Sequence, residues 1–410
     1  PRAHDQKEEI PPILSSEALM PEVAAKLLAI DLCKPRKNSG FDIMPFRRTR
    51  HPDIPRLMGI PHPRAYVELV DTIVTNWEEN LQNVCQSPNS DLVFEVQDDF
   101  RIIVHSYNAV QVDGEVENTD PSLDFGKSYR VKTDIAGFYP GIYSHSLPWA
   151  LVGHKEAKKK KQDHNLWFNR LDSHARRCQR NETKGLPIGP ATSAILSEII
   201  LFPVDAMLRE KDYSFRRYID DYKAFTTSKS DAEAFLSDLS RELQKYSLTL
   251  NPLKTEIVEM PVVNKELWVT EMNFALNQIG INPSENDGSK ANAGYGSAQL
   301  RLIVEKAIAL SKEYPDGSVI KYAFSSILER GVVGEDAERY LQDSLLKYAF
   351  YYPALVPLIN RWSGLYGLHF DIDNRITQLY YQALGKGQTD NLVWCIYYSL
   401  RTEIFRNYEL

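Results

Sequence analysis

The sequence predicts an α+β chain in three parts: a mixed first region, a central βαββαβ unit and an all-α, helical-repeat-like C-terminal region. Three observations lead there. Periodicity over 129–262 runs strand, helix, hairpin, helix, strand, the order of a split βαβ sheet with helices on one face. After the Gly/Asn/Ser-rich stretch 286–296 the strand pattern disappears while helical spacing continues. A chain of 410 residues also exceeds what one core normally holds. The domains expected are 1–128, 129–285 and 286–410.

In the first region, PRLMGIPHPR (55–64) is a short extended stretch ended by prolines. Residues 65–85 place Val67, Val70, Ile73, Val74, Trp77, Leu81 and Val84 at helical spacing. RIIVHSY (101–107) predicts a strand, and the acidic, turn-rich 111–127 predicts a loop. In the second, 129–135 alternates as a strand and 144–152 is helical. Pro190 stands where a first-turn proline is tolerated, opening a helix to Lys211. RRYI and YKAF flank Asp220-Asp221 as a hairpin, the Ser230–Glu233 capping box opens a helix to Tyr246, and 254–260 closes the unit as a strand. The third region predicts helices over 298–312, 319–330, 337–352, 371–384 and 391–406. Residues 290–410 are electrically neutral and hold 13 of the 22 tyrosines.

The formal net charge of −7 argues against a nucleic-acid partner on its own, but the charge is uneven. Residues 154–184 carry ten Lys/Arg against four acids, leaving −13 for the rest. A local positive field of this kind attracts a polyanion within a Debye length, about 8 Å at physiological salt. Lys158, Lys159, Lys160, Lys161, Arg176 and Arg177 are the candidate nucleic-acid contacts, against the plainer reading of a solvated charged loop. Four widely spaced cysteines form no CxxC pair, which argues against a zinc site or a disulfide framework and suits a reducing cytoplasm. The first residues, PRAHDQKEEIPP, lack the apolar core of a secretory signal. No apolar run reaches the roughly 18 residues of a membrane span, so no membrane partner is expected.

Three carboxylates fall where the central sheet converges: Asp134 near the end of its first strand, Asp220 and Asp221 at the hairpin. Asp-Asp in a turn is ordinarily turn chemistry. Here Tyr218, Ile219, Tyr222, Ala224 and Phe225 flank the pair with buried-sheet residues, and buried acids without a cation are costly. Two-metal phosphoryl transfer requires such oxygen ligands around two hard cations.

These segments resemble the motifs of reverse transcriptases. TDIAGFYPGIY (133–143) is similar to motif A, KGLPIGPATS (184–193) to motif B, RYIDD (217–221) to the YxDD box and LTLNPLKTEI (248–257) to motif D. PRLMGIP (55–61) resembles the preceding fingers segment. The resemblance implies right-hand polymerase fingers and palm, Mg²⁺ as a pair of ions with Mn²⁺ as a substitute, and dNTPs with DNA or RNA as partners. It implies Asp134, Asp220 and Asp221 as catalytic metal ligands, with the Ile135 carbonyl on the second ion. Lys254 then protonates the leaving pyrophosphate, and Tyr139 is an aromatic gate against a ribose 2′-OH; a core aromatic and a surface lysine are the plainer readings. Arg56, Gly185, Pro187, Gly189 and Tyr218 complete the nucleotide site, with Arg64 a weaker candidate. One departure stands out: Ile188 replaces the glutamine of many members, which puts ordinary templated copying in doubt.

Within the family, FYPGIYSHSLPWAL and GLPIGPATSAILSEIIL resemble the bacterial abortive-infection and defence-associated branch. That implies an antiphage role, a cytoplasmic bacterial location, homo-oligomers and, in some members, untemplated synthesis primed from a protein hydroxyl. Tyr351, Tyr352, Tyr380, Tyr381, Tyr397 and Tyr398 are hydroxyls to consider, although paired helical tyrosines are more often packing residues. The competing reading is a non-catalytic, oligomeric nucleic-acid-binding scaffold. An RNA-dependent RNA polymerase fits Tyr139 and YIDD less well, and for a nucleotidyl cyclase the GGDEF-like turn is absent.

Overall fold

The computed structural model describes residues 11–14, 19–30, 40–49, 55–96, 102–106, 109–112, 115–118, 123–262, 267–279, 294–315, 318–367 and 372–402. Most of the linker expected at 286–296 therefore lies outside the described residues. The chain divides into two units: residues 16–45 and 58–262 form one, and residues 3–15, 46–57 and 263–410 the other.

The leading elements are α1 (Pro21–Ala29), β1 (Met44–Arg48), β2 (Arg56–Ile60), α2 (Pro63–Thr75), β3 (Leu92–Val96), β4 (Ile102–Ser106), β5 (Ala109–Val112) and β6 (Glu115–Asn118). Strands β1–β2, β3–β4 and β5–β6 form two-stranded sheets. The helix expected over 65–85 ends at Thr75 and passes into a π-helical turn, Trp77–Leu81. The β5–β6 pair replaces the loop expected from 111 onwards. Its acidic composition hid two alternating segments, AVQV and EVEN, joined by Asp-Gly, a strong hairpin signal.

The central sheet contains β7 (Tyr129–Asp134), β8 (Ser214–Tyr218), β9 (Asp221–Thr226) and β10 (Glu256–Glu259). Its order is β10-β7-β9-β8 and every neighbouring pair is antiparallel. Alternation decides which face is covered. Val131 and Thr133 on β7, Phe215 and Arg217 on β8, and Tyr222, Ala224 and Thr226 on β9 are buried; their alternates are not, save Asp134. Between β7 and β8 come α3 (Phe138–Gly141), α4 (Ser146–Val152), α5 (His154–Lys159), α6 (Trp167–Arg177) and α7 (Ala191–Glu210). Between β9 and β10 comes α8 (Lys229–Gln244). Its cap lies two residues before the predicted one: the Ser228 hydroxyl accepts the Asp231 N–H at 3.1 Å. By length and composition α7 could cross a bilayer, contrary to the sequence expectation. It is mostly buried in this unit's core and carries buried Glu198 and Asp205, both paired with Arg217. A core helix of a water-soluble unit meets the same criterion.

In the second unit, α9 (Leu267–Gln278), α10 (Ser297–Glu313), α11 (Val319–Arg330), α12 (Glu335–Tyr351), α13 (Leu358–Tyr366), α14 (Asp373–Lys386) and α15 (Thr389–Arg401) pack around a separate apolar core. α9 and α13 were absent from the sequence reading. Residues 46–49 join this unit: the two carboxylate oxygens of Asp390, at the start of α15, accept the Thr49 N–H and hydroxyl, each at 2.7 Å. Several tyrosines anchor the packing. The Tyr398 hydroxyl donates to the Val356 carbonyl at 2.8 Å and Tyr295 to the Leu276 carbonyl at 2.9 Å. Tyr380 and Tyr398 are buried, whereas Tyr351 and Tyr381 are exposed.

Candidate active site

The carboxylates come together through strand register. Asp134, the last residue of β7, lies directly opposite Asp221, the first of β9, which in turn faces Tyr218 of β8. Opposed side chains of this kind have Cβ atoms about 4.5–5.5 Å apart, and like charges there repel. Ile219 and Asp220 form the two-residue hairpin loop between Tyr218 and Asp221. Ile219 has φ +56°, as the first position of a type II′ turn requires, a region that β-branched residues avoid.

Buried charges hold this strained turn. Arg217 is fully buried; its guanidinium contacts Glu198 and Asp205 of α7, each at 2.7 Å, and donates to the Ile219 carbonyl at 2.9 Å. The Tyr222 hydroxyl donates to Asp205 at 3.1 Å. From the other side, the Ile135 N–H donates to the Asp220 carbonyl at 3.2 Å. Sequence reasoning missed this network. The available signal was an arginine in the inward phase of β8, with Glu198 and Asp205 set within the apolar body of α7.

The 248–257 segment docks beside Asp134. The Asn251 N–H donates to the Asp134 carbonyl at 2.8 Å, and Ala136 N–H to the Thr249 carbonyl at 2.9 Å. The Asn251 side chain caps a 3₁₀ turn, Pro252–Lys254, that delivers Lys254. Its ammonium lies 2.5 Å from Asp134 Oδ2, and that hydrogen bond raises the lysine's pKa. Burial, then the charges of Asp221 and Asp134, push Asp220 up to about 6. Burial and Asp134 likewise raise Asp221, against partial relief from Lys254, Lys132 and Lys223. Asp220 and Asp221 thus hold a proton more tightly than free carboxylates.

Among the described residues, no group of three or more His, Cys, Asp or Glu side chains forms a cage for a metal ion. Mg²⁺ in phosphoryl transfer needs none, since it takes one or two carboxylates and completes its shell with water and substrate phosphates. The opposed pair Asp134/Asp221 beside an elevated Asp220 fits such an ion. A cavity of about 430 Å³ bordered by Ala136, Gly141, Tyr143, Lys184 and Ser247–Thr249 includes none of the carboxylates. Asp134 and Asp221 lie instead on the sheet face opposite the apolar one, Asp134 buried and Asp220 and Asp221 half-buried.

The 184–189 loop packs on α3. Leu186 N–H donates to the Tyr139 carbonyl at 2.8 Å and Gly185 N–H to the Ile142 carbonyl at 2.7 Å. Pro187 is held through its carbonyl, which accepts the Ser193 hydroxyl at 2.7 Å. Gly185 and Gly189 have φ +96° and +119°, and a Cβ on Gly189 would lie 2.9 Å from Met58 Cε. The Ile188 carbonyl accepts the Gly59 N–H at 3.0 Å, so the PRLMGIP segment and the 184–193 motif meet directly. Arg56 opens β2 and groups with the second unit.

The basic stretch is largely helical, α5 and α6, rather than a loop. α6 was missed because its apolar positions, Phe168, Leu171 and Ala175, are outnumbered by charge. Lys160 pairs with Glu156 at 2.6 Å, Arg176 with Asp172 at 3.4 Å and Arg177 with Glu68 at 3.1 Å; Lys158, Lys159 and Lys161 are exposed.

Residues 126–279 match the family model described as Reverse transcriptase (RNA-dependent DNA polymerase). This segment is therefore a reverse-transcriptase-like polymerase domain, and such domains carry out nucleotidyl transfer in general. No curated protein matches the chain. Among solved structures, the chain is similar to telomerase from Candida tropicalis truncated from its C-terminal domain: 14% identity, 58% of this chain and 53% of that one, TM-score 0.32. It thus spans about half of that chain. The apo Candida tropicalis telomerase aligns at 12% identity over 93% of this chain and 74% of that one, TM-score 0.36. Candida albicans telomerase in complex with a fragment of telomeric RNA aligns at 13% identity over 92% and 69%, TM-score 0.34.

Proposed function

We propose that the central sheet is the palm of a DNA polymerase that joins dNTPs by two-metal nucleotidyl transfer. The observation that carries this is the register of β7 and β9, which sets Asp134 against Asp221, beside Asp220. Asp134 and Asp220 would hold the ions, Asp221 assisting and the Ile135 carbonyl completing the set. Bound, the ions supply an activated 3′-hydroxyl and neutralise the triphosphate. Lys254, kept protonated by Asp134, donates to the leaving pyrophosphate. Residues 184–189 bring backbone close to the nucleotide at Gly185 and Gly189, and Tyr139 would lie under the sugar. In this reading 1–128 supply fingers, 129–285 the palm and 286–410 a helical domain, while Lys158, Lys159 and Lys161 meet nucleic acid.

The antiphage role, the bacterial cytoplasm, the homo-oligomer and template-free, protein-primed synthesis are supported by the branch resemblance alone. Purified protein with labelled dNTPs and Mg²⁺, without template or primer, tests the reading directly. Label that shifts on proteolysis supports protein-primed synthesis; no label, even with a primed RNA template, leaves the scaffold.

Two substitutions probe the roles. Lys254→Ala is expected to lower kcat by about 10²–10³-fold with little change in the dNTP KM, the signature of a transition-state contact. An equal rise in KM would assign Lys254 to ground-state binding. Tyr139→Ala is expected to raise rNTP use relative to dNTP use by roughly 10–100-fold, since excluding one group is worth about 1–3 kcal/mol. Unchanged discrimination in competition assays would make Tyr139 a packing residue.

A further inference from the structure

The sheet face opposite the apolar one carries a second row of charges behind the carboxylates. On β7, Asp134, Lys132 and Arg130 share one phase; on β9, Asp221 and Lys223; on β8, Tyr218 and Arg216. The register places Lys132 directly opposite Lys223, and Lys223 directly opposite Arg216. Three cations therefore stand side by side, one pleat and roughly 6.7 Å behind the carboxylate row. Arg216 is engaged by Asp91 at 2.5 Å, and Glu256, across from Lys132, contacts Arg130 at 3.3 Å. Lys132 and Lys223 are both exposed and, among the described residues, neither has an ion-pair partner. Opposed like charges cost stability in a sheet, and the neighbouring Asp91 and Asp221 offset the cost at Lys223 only in part, which leaves room for a phosphate between the two ammonium groups.

We infer that Lys132 and Lys223 clamp the phosphate backbone of the nucleic-acid strand whose 3′ end reaches Asp134 and Asp221. The inference rests on the polymerase reading for the position of that 3′ end. A polymer fits better than a lone nucleotide because the positive stripe continues to Arg130, a further pleat from the carboxylates. Phosphodiester charge recurs along a strand, and flexible ammonium groups bind it without reading sequence.

The test is fluorescence anisotropy of 5′-fluorescein-labelled dT20 and rU20 on the full chain, with KCl varied, for wild type, Lys132→Ala/Lys223→Ala and Asp220→Asn. The double variant is expected to bind at least about tenfold more weakly near 100 mM KCl. Its slope of log K against log salt should fall by about 1.4, near 0.7 per lost single-strand phosphate contact. Its melting temperature should hold or rise, which separates lost contacts from lost folding. Unchanged affinity and slope overturn the clamp, as does wild type that binds neither oligonucleotide at low salt. A lower melting temperature with unchanged affinity would instead assign the lysines to balancing the carboxylates. A higher dNTP KM with unchanged oligonucleotide binding would move them to the nucleotide. The two readings fail separately. Lysine-dependent binding without dNTP incorporation sinks the polymerase and leaves the surface; incorporation with lysine-independent binding does the reverse.

Discussion

If the proposed two-metal reading holds, Asp220→Asn is expected to reduce nucleotide incorporation by more than about 10³-fold, because the cations would lose an oxygen ligand, and yet to raise the metal-free melting temperature at pH 8. The second effect follows from linkage. Burial and the charges of Asp221 and Asp134 lift Asp220 from 3.8 to about 6, so the folded state favours the protonated acid. A raised acid contributes stability that is fully present below its unfolded pKa near 4 and lost as pH climbs through about 6. At pH 8 the charged group opposes folding. About 1.4 kcal/mol per pKa unit sets an upper bound of roughly 3 kcal/mol, and solvent screening at this half-exposed turn reduces it to about 1 kcal/mol. Asparagine removes the charge and keeps the shape. Differential scanning calorimetry in EDTA and then in MgCl₂ reads both sides: wild type should gain from Mg²⁺ through mass action, and the variant should gain much less. A variant that melts below wild type in EDTA would falsify the repulsion argument.

The largest stability effect is expected at Arg217→Met. Its guanidinium joins Glu198, Asp205 and the Ile219 carbonyl in a fully buried site. Removing one partner of such a group leaves uncompensated buried charge and costs about 3–5 kcal/mol. In a unit of this size that is a drop on the order of 10 °C in melting temperature. The triple change Arg217→Met, Glu198→Gln, Asp205→Asn should recover much of the loss, since the cost comes from unpaired charge rather than volume. Thermal and urea unfolding of the single and triple variants decide it: equal losses in both would put the effect down to packing.

Much of the fold was legible because the central unit obeys period and order. Alternation marked β7, and the chain order strand, helix, hairpin, helix, strand matches β7, α7, β8–β9, α8, β10. What escaped had local reasons. Ser228 and Ser230 are equally plausible caps by composition, and only backbone geometry selects Ser228. Ile219 gives no hint of a positive φ, because the conformation is imposed by the buried network beneath it. Lys132 and Lys223 look like ordinary exposed strand residues until the register puts them opposite each other. The candidate carboxylates were legible from the flanks of YIDD, but the pairing of Lys254 with Asp134 depends on the turn at Asn251, a contact between residues 120 positions apart.

The Thr49–Asp390 hydrogen bonds link positions 341 residues apart in sequence. At about 5–20 residues per second, a ribosome releases Thr49 tens of seconds before α15 exists to receive it. During that interval the segment must wait unpartnered, with its Thr49 N–H and hydroxyl hydrated. The helical unit therefore cannot finish assembling vectorially: α15 completes a site opened 341 residues earlier. A nascent chain stalled before residue 390 should remain cleavable around Thr49 by a protease that spares the finished protein.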